Sequence, residues 1–300
     1  MQKLISIIMP LNEVLAYINE SIESVKCQTY KNFELLIIKE KSTENLDKII
    51  NFHSKNDKRI KIITKRTRDI CNLKNLGLLE AKGKFITFME AGDVLEKEFL
   101  EKMIKIQNKT KADIVSTELI EDKPYKKIKE INIYENSEVI SAYLKLKIRS
   151  HSKAKLYKKE LFKDITFPYS KYDNFLTTYK IFHIANIVVH SNIKLYNYII
   201  EKNETIKESE HMKKISGCIE ILEFIEKNYP HLINECKSKI CFEAIDLSKK
   251  VKNEKNKKLL FEYIKIYRKY AINDLKVSTK LRFEAVKSLL GYKLFSLCVK

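Results

Sequence analysis

Short apolar runs alternate with stretches whose apolar residues recur every three or four positions along the first part of the chain. Few folds accept that alternation. Leu4-Ile5-Ser6-Ile7-Ile8-Met9 is continuously apolar apart from one serine and is closed by Pro10, the pattern of a strand buried on both faces. Leu15, Ile18, Ile22 and Val25 follow at helical spacing. Phe33-Glu34-Leu35-Leu36-Ile37-Ile38 is a second strand, and Ser42 or Thr43 can cap a helix carrying Leu46, Ile49 and Ile50. Ile60-Lys61-Ile62-Ile63 is a third strand, and Leu73, Leu76 and Leu79 mark a helix ending near Gly83. Residues 85–89 form a fourth strand, Phe99, Leu100, Met103 and Ile104 line the next helix, and residues 114–119 form a fifth strand. The repetition predicts an α/β fold, a mostly parallel sheet flanked by helices. Ligands of such sheets bind beyond the carboxyl ends of the strands. The segments 9–12, 39–41, 64–66 and 90–93 are therefore expected to line the site.

The alternation fades later in the chain. Residues 121–129 are charged, contain Pro124 and read as a loop. A helix over 174–185 is followed by short strands over 187–189 and 195–200, and from about Met212 the pattern is helical throughout. This divides the chain into a sheet domain, 1–205, and a helical C-terminal region, 206–300. Only 5 glycines and 4 prolines argue against a turn-rich all-β chain. No apolar run is long enough to span a bilayer and no signal peptide is visible, so a cytoplasmic protein is expected. The net charge of +19 comes mostly from lysine. Arginine forks and stacked aromatics, which nucleic-acid readers use, are not clustered, so no nucleic-acid partner is expected. The cysteines form no C-x-x-C pair and are expected to be reduced thiols. His183 and His190 have no carboxylate at zinc-ligand spacing.

An ordered set of strings carries a family resemblance. It begins with Ile5-Ser6-Ile7-Ile8-Met9-Pro10, then Ser21-Ile22-Glu23-Ser24-Val25 and Gln28-Thr29-Tyr30-Lys31-Asn32-Phe33-Glu34-Leu35. It continues with Ser42-Thr43, Asp57-Lys58-Arg59-Ile60, Asn75-Leu76-Gly77 and Glu80-Ala81-Lys82-Gly83. Lys155-Leu156-Tyr157-Lys158, Glu160-Leu161-Phe162 and Phe167-Pro168 complete it. The chain resembles the family 2 glycosyltransferases, which have the GT-A fold. The resemblance implies a nucleotide-sugar donor, a glycan or lipid-linked acceptor, and a role in bacterial surface polysaccharide or lipopolysaccharide synthesis. It also implies a divalent metal, Mn²⁺ or Mg²⁺, to neutralise the leaving diphosphate, and a carboxylate base to take the acceptor proton.

By the same resemblance, nucleotide-binding positions fall on Pro10, Asn12, Glu13, Glu40, Lys74 and Glu90, metal-holding positions on Glu90 and Asp93, and base positions on Asp173 and Asn174. The chain departs from the family pattern at each place. The usual Asp-Asp-Gly-Ser-Thr is Lys39-Glu40-Lys41-Ser42-Thr43. The Asp-X-Asp is Glu90-Ala91-Gly92, with Asp93 beside it, and Gly92 has no oxygen to offer a metal. The base position is Asn174, whose amide takes up no proton at neutral pH; Asp173 beside it is better placed as a helix cap. Lys39, Lys41, Lys65, Arg66, Arg68 and Lys74 fall on the ligand-facing edge. The pattern favours a family member whose metal-dependent transfer is impaired or lost. Two alternatives stay open: an active transferase holding its donor with fixed cations instead of metal, and a non-catalytic partner of another glycosyltransferase or a glycan-binding subunit.

Near the end, Val286, Leu289, Leu290, Leu294, Leu297 and Val299 are interleaved with Lys287, Lys293 and Lys300. Packing against the preceding helices is the simpler expectation. A basic amphipathic helix on the inner face of a membrane is the alternative.

Overall fold

The computed structural model describes residues 2–11, 17–40, 44–65, 70–120, 131–170, 172–198, 206–274 and 279–298. The loop expected over 121–129 and the candidate residues Asn12, Glu13, Lys41, Arg66 and Arg68 lie outside them.

The chain forms two compact units. The first comprises Met1–Asn136, Ser150–Tyr169 and Lys180–Lys202. Its elements begin β1 (Ile5–Leu11), α1 (Ile18–Lys26), β2 (Phe33–Lys39), α2 (Glu44–Asn56), β3 (Ile60–Thr64), α3 (Ile70–Glu80) and β4 (Phe85–Phe88). Then come β5 (Val94–Leu95), α4 (Phe99–Thr110), β6 (Ile114–Ile120) and β7 (Ile131–Glu135). After α5 (Ser137–Leu144), which belongs to the second unit, follow β8 (Lys155–Lys158), α6 (Asp173–Ile184) and β9 (Ile187–Asn197).

The sheet order is β3-β2-β1-β4-β8-β6-β9-β5, with β7 also paired to β9. The first four strands are parallel, as their repetition predicts. Parallel strands β4 and β6 do not touch. The antiparallel strand β8 lies between them and pairs with both. The two short strands expected after residue 187 are one continuous strand, parallel to β6 across an irregular register and antiparallel to β5 and β7.

Alternation along β1 sends side chains to two helical layers. Ile5, Ile7 and Met9 join a core with Ile18 and Ile22 of α1, Leu46 and Ile50 of α2, and Phe99 and Met103 of α4. Ile8 faces α3, where a Cβ on Gly77 would stand 2.4 Å from its methyl group. The glycine is what lets α3 approach that closely. The inward face of α3 is Cys71, Leu73, Lys74, Gly77 and Leu78, so Leu79, expected inside, points to solvent.

A buried carboxylate fastens the parallel half. Glu34 on β2 accepts hydrogen bonds from Ser6 Oγ (2.6 Å), the Lys82 backbone N–H (2.7 Å) and Lys61 Nζ (2.6 Å). Burial pushes this carboxyl up, but the donors from Lys61, Ser6 and Lys82 outweigh it and hold it below the ordinary carboxylate value. One side chain thus links β1, β2, β3 and the turn into β4. This accounts for the serine in the first apolar run and the glutamate in the second.

The second unit comprises Ser137–Arg149, Ser170–Tyr179 and Asn203–Lys300. It holds α5, the first turns of α6, α7 (Glu208–Asn228), α8 (Ile233–Ser248), α9 (Glu254–Asn273), α10 (Thr279–Lys287) and α11 (Tyr292–Cys298). At its centre Glu243 accepts from Lys214 Nζ (2.5 Å) and lies 3.4 Å from Lys239 Nζ. The ring of Phe175 lies 5.4 Å from one ammonium and 5.6 Å from the other, and Tyr143 and Tyr172 add further aromatic faces. Cys218, Cys236 and Cys241 are buried free thiols, and burial raises all three, the last two to about 12. They stay protonated and unreactive.

Candidate functional site

The carboxyl ends of β1, β2 and β4 meet along one edge of the first unit. Parallel register aligns Leu11 with Lys39 and Ile8 with Phe88, so the turn after β4 opens at that edge. Two serines of α1 shape this turn. Ser21 Oγ donates to the Asp93 carbonyl (2.7 Å) and accepts from the Gly92 N–H (2.9 Å), and Ser24 Oγ accepts from the Leu95 N–H (3.2 Å). The string Ser21-Ile22-Glu23-Ser24 thus fixes the turn. Gln28 continues the clamp, donating to the Ser24 and Glu96 carbonyls and accepting from the Leu100 N–H.

Gly92 has φ 101°, a left-handed conformation that favours glycine, and a Cβ there would meet nothing within 4 Å. The turn carries Glu90 and Asp93 toward each other, and a third residue joins them. Lys153, just upstream of β8, places its ammonium 2.5 Å from Glu90 Oε2 and 3.2 Å from Asp93 Oδ2. Tyr196 of β9 donates its hydroxyl to Asp93 Oδ2 (2.7 Å) and accepts from the Glu90 N–H (3.2 Å). The Tyr198 ring lies 3.7 Å from the ammonium. Asp93 and Lys153 are buried, 2% and 6% exposed, whereas 38% of the Glu90 side chain reaches solvent. Tyr196 is fully buried, and burial, with the charges of Asp93 and Glu90, raises its hydroxyl well above the ordinary value. It therefore remains a donor.

Lysine 153 is the residue that sequence reasoning missed. Glu90 and Asp93 are brought together as expected, but with an ammonium between them. A divalent metal fits this donor set poorly. Gly92 supplies nothing, one oxygen of Glu90 and one of Asp93 are engaged by Lys153, and no group of three His, Cys, Asp or Glu that could hold a metal exists among the described residues.

The other candidates are placed as follows. Pro10 is buried near the end of β1 and Glu40 is half-buried directly after β2. Lys39 is buried and bonded to Asp47 Oδ1 of α2 (2.6 Å), so its charge is engaged by α2. Lys65 is exposed beyond β3. Lys74 is buried, with its ammonium 5.0 Å from the Phe167 ring. Its neighbour Asn75 exchanges two hydrogen bonds with the Phe167 backbone, 2.9 and 2.8 Å, joining two distant strings of the resemblance. In the second unit Asp173 opens α6, is 4% exposed and accepts the Thr177 hydroxyl on its carbonyl, while Asn174 beside it is half-buried.

Comparisons with known proteins bear on the whole arrangement. The profile of the family described as Glycosyl transferase family 2 matches residues 6–171. "Glycosyltransferase GlyA" of Streptococcus pneumoniae is 27% identical over 219 residues, 66% of this chain and 31% of GlyA. An uncharacterized glycosyltransferase of Rickettsia bellii is 36% identical over 101 residues, 34% of this chain and 14% of that protein. The matches thus span less than a third of either relative. Among solved structures, residues 1–349 of TarS from S. aureus superpose with a TM-score of 0.70 at 20% identity, covering 98% of this chain and 89% of that one. The same fragment has been solved with UDP-GlcNAc.

Proposed function

Because the chain belongs to glycosyl transferase family 2, we propose that its first unit binds a nucleoside-diphosphate sugar along the carboxyl ends of β1, β2 and β4, and that metal-dependent sugar transfer by it is impaired or lost. Departure of a sugar builds negative charge on the diphosphate, which a cation must stabilise, and the acceptor hydroxyl must give up a proton. The observation that carries the reading is Gly92: the metal-holding position has no side chain and a backbone suited to glycine. The amide at Asn174 and the lysine at Lys39 point the same way. The setting that fits is synthesis of a bacterial surface glycan, with a glycan or lipid-linked acceptor.

An active transferase that uses fixed cations is the second reading, and exposed Lys65 beside the ligand edge favours it. Calorimetry with a panel of UDP- and GDP-sugars, with and without Mn²⁺, and product assays on the same mixtures test both. The expected result is binding whose affinity changes less than about threefold on adding Mn²⁺, with no transfer. Metal-dependent micromolar binding would overturn the first reading, and metal-free turnover would establish the second.

The helical C-terminal segment adds a membrane surface to the proposal. Among the described residues no helix is long and apolar enough to cross a membrane. Ala285, Ser288 and Phe295 turn inward, and Phe283, Leu289, Leu290 and Leu294 remain more than half exposed. Packing on the preceding helices, the simpler expectation, thus accounts for one face only. The expected single amphipathic helix is broken at Gly291 into α10, a short turn over Ser288–Leu290 and α11. The exposed apolar side chains on these elements, with Lys287 and Lys293 among them, suit the headgroup region of an anionic leaflet. Wild-type protein should float with phosphatidylglycerol vesicles, and Leu289→Ser with Leu290→Ser should reduce partitioning about tenfold or more, given the apolar area each leucine would bury. Equal flotation of the two proteins would sink the idea.

A further inference from the structure

We infer that Lys153 is a tethered cation that occupies the family's metal position and shuts divalent metal out of the Glu90–Asp93 pair. The inference builds on the reading that this edge is the donor site. It goes beyond that reading by naming the residue that decides the site's metal chemistry.

The ammonium is enclosed. Glu90 and Asp93 lie 2.5 and 3.2 Å from Nζ, and the Tyr198 ring lies 3.7 Å away. Tyr196 holds the Asp93 oxygen that also faces the ammonium. A manganese or magnesium ion binds carboxylate oxygens at about 2.0–2.2 Å. It would therefore compete with Lys153 for the facing oxygens, Glu90 Oε2 and Asp93 Oδ2, and would sit within contact distance of a like charge. The ammonium has a second advantage. It is attached to the chain, so its effective concentration at the carboxylates exceeds that of free metal.

Formal charge separates this site from a metal-loaded one. One ammonium and two carboxylates sum to −1, whereas a divalent ion in the same place would bring the sum to zero. The tethered cation satisfies the carboxylates but leaves no positive surplus for a diphosphate. The substitution at Gly92 and the presence of Lys153 therefore act together: the first removes a ligand, and the second engages an oxygen of each carboxylate that remains.

Removing the ammonium should open the position. In Lys153→Met the side chain keeps its length and loses its charge, leaving Glu90, Asp93 and the Tyr196 hydroxyl around the vacated position. Electron paramagnetic resonance titration with Mn²⁺ alone reads the outcome without reference to nucleotide or activity. Wild-type protein should show no saturable Mn²⁺ binding at this pair. Lys153→Met should bind one Mn²⁺ at least about tenfold more tightly, a conservative figure for removing one charge at contact distance. Adding Asp93→Asn to that variant should abolish the gain, and Lys153→Arg should bind no better than wild type. Saturable Mn²⁺ binding by wild-type protein that Glu90→Gln removes would overturn the inference. So would a folded Lys153→Met variant with no gain. If Lys153→Met fails to fold, the wild-type and Glu90→Gln titrations decide. Absence of nucleotide binding alongside the Mn²⁺ gain would instead count against the donor-site reading and leave the role of Lys153 standing.

Discussion

Glu243→Gln is expected to cost the second unit about 3–5 kcal/mol, the range for breaking a buried ion pair from one side. The substitution keeps the shape and removes the charge that faces Lys214 and Lys239, two ammoniums that are 14% and 6% exposed at the side chain. The aromatic faces of Phe175, Tyr143 and Tyr172 offset part of the loss, roughly 1–2 kcal/mol for a desolvated cation, and cannot replace a carboxylate. Burial raises the Glu243 carboxyl, but Lys239 and Lys214 outweigh it and leave it below the ordinary value. Burial likewise lowers the Lys214 ammonium, and the charge of Glu243 outweighs it and leaves it raised. The sign of the pH dependence follows. The carboxylate's contribution is full above an unfolded value of about 4.3 and fades as pH falls through the depressed folded one. The lysine's is full below about 10.4 and fades as pH rises through its raised one. Urea titrations of wild type and Glu243→Gln should thus differ most at neutral pH and converge in acid. A difference under about 1 kcal/mol at pH 7 would show the cluster to be solvated.

Gly83→Ala is expected to cost the first unit about 3 kcal/mol or more, at the upper end for overpacking. A Cβ at Gly83 would stand 2.6 Å from the Ser6 backbone nitrogen, 2.7 Å from its hydroxyl and 2.8 Å from the Phe85 carbonyl. Two of these are backbone atoms of the adjacent strands β1 and β4, which can yield only by parting. Parting them also disturbs the Gly83 N–H to Ser6 Oγ bond (2.8 Å) and, through Ser6, the buried Glu34. Gly77→Ala supplies the contrast. Its close neighbours are side-chain carbons of Ile8 and Ile38, which can rotate. Thermal melts should rank Gly83→Ala below Gly77→Ala; the reverse order would mean that the turn after α3 shifts freely.

The parallel half was legible because its strands are short, mostly apolar runs, and the first three are each followed by a helix that buries one stripe. Glu34 and Ser6 could be placed on strands but not paired, since their meeting depends on the register of β1 with β2. Strand β8 was not legible as a strand. It has four residues, two of them lysines, and its neighbours in the sheet lie far away in sequence. Lys153 stayed hidden for the same reason. In a chain with 58 lysines and arginines, one more cation just before an unrecognised strand carries no signal, although it lies 63 residues from its partner Glu90. The turn at Glu90 to Asp93 was legible as a strand end at the carboxyl edge of the sheet because it closes an apolar run. What fills it was not.

The slot occupied by β8 also dictates an order of assembly. Strands β1 to β4 can pair as soon as they are made, but the outer edge of β4 gains its partners only from residue 153 onward, through a bridge from Phe88 to Lys153 and the pairing with β8. Until then a central strand, Phe85-Ile86-Thr87-Phe88, presents open backbone donors and acceptors with apolar side chains and no charge to deter pairing. A nascent chain halted before residue 153 would carry a sticky edge at the middle of its future sheet, where intermolecular strand addition competes with folding. Closure of that edge, rather than formation of the early β-α repeats, is then expected to be the step at which the first unit commits to its native sheet.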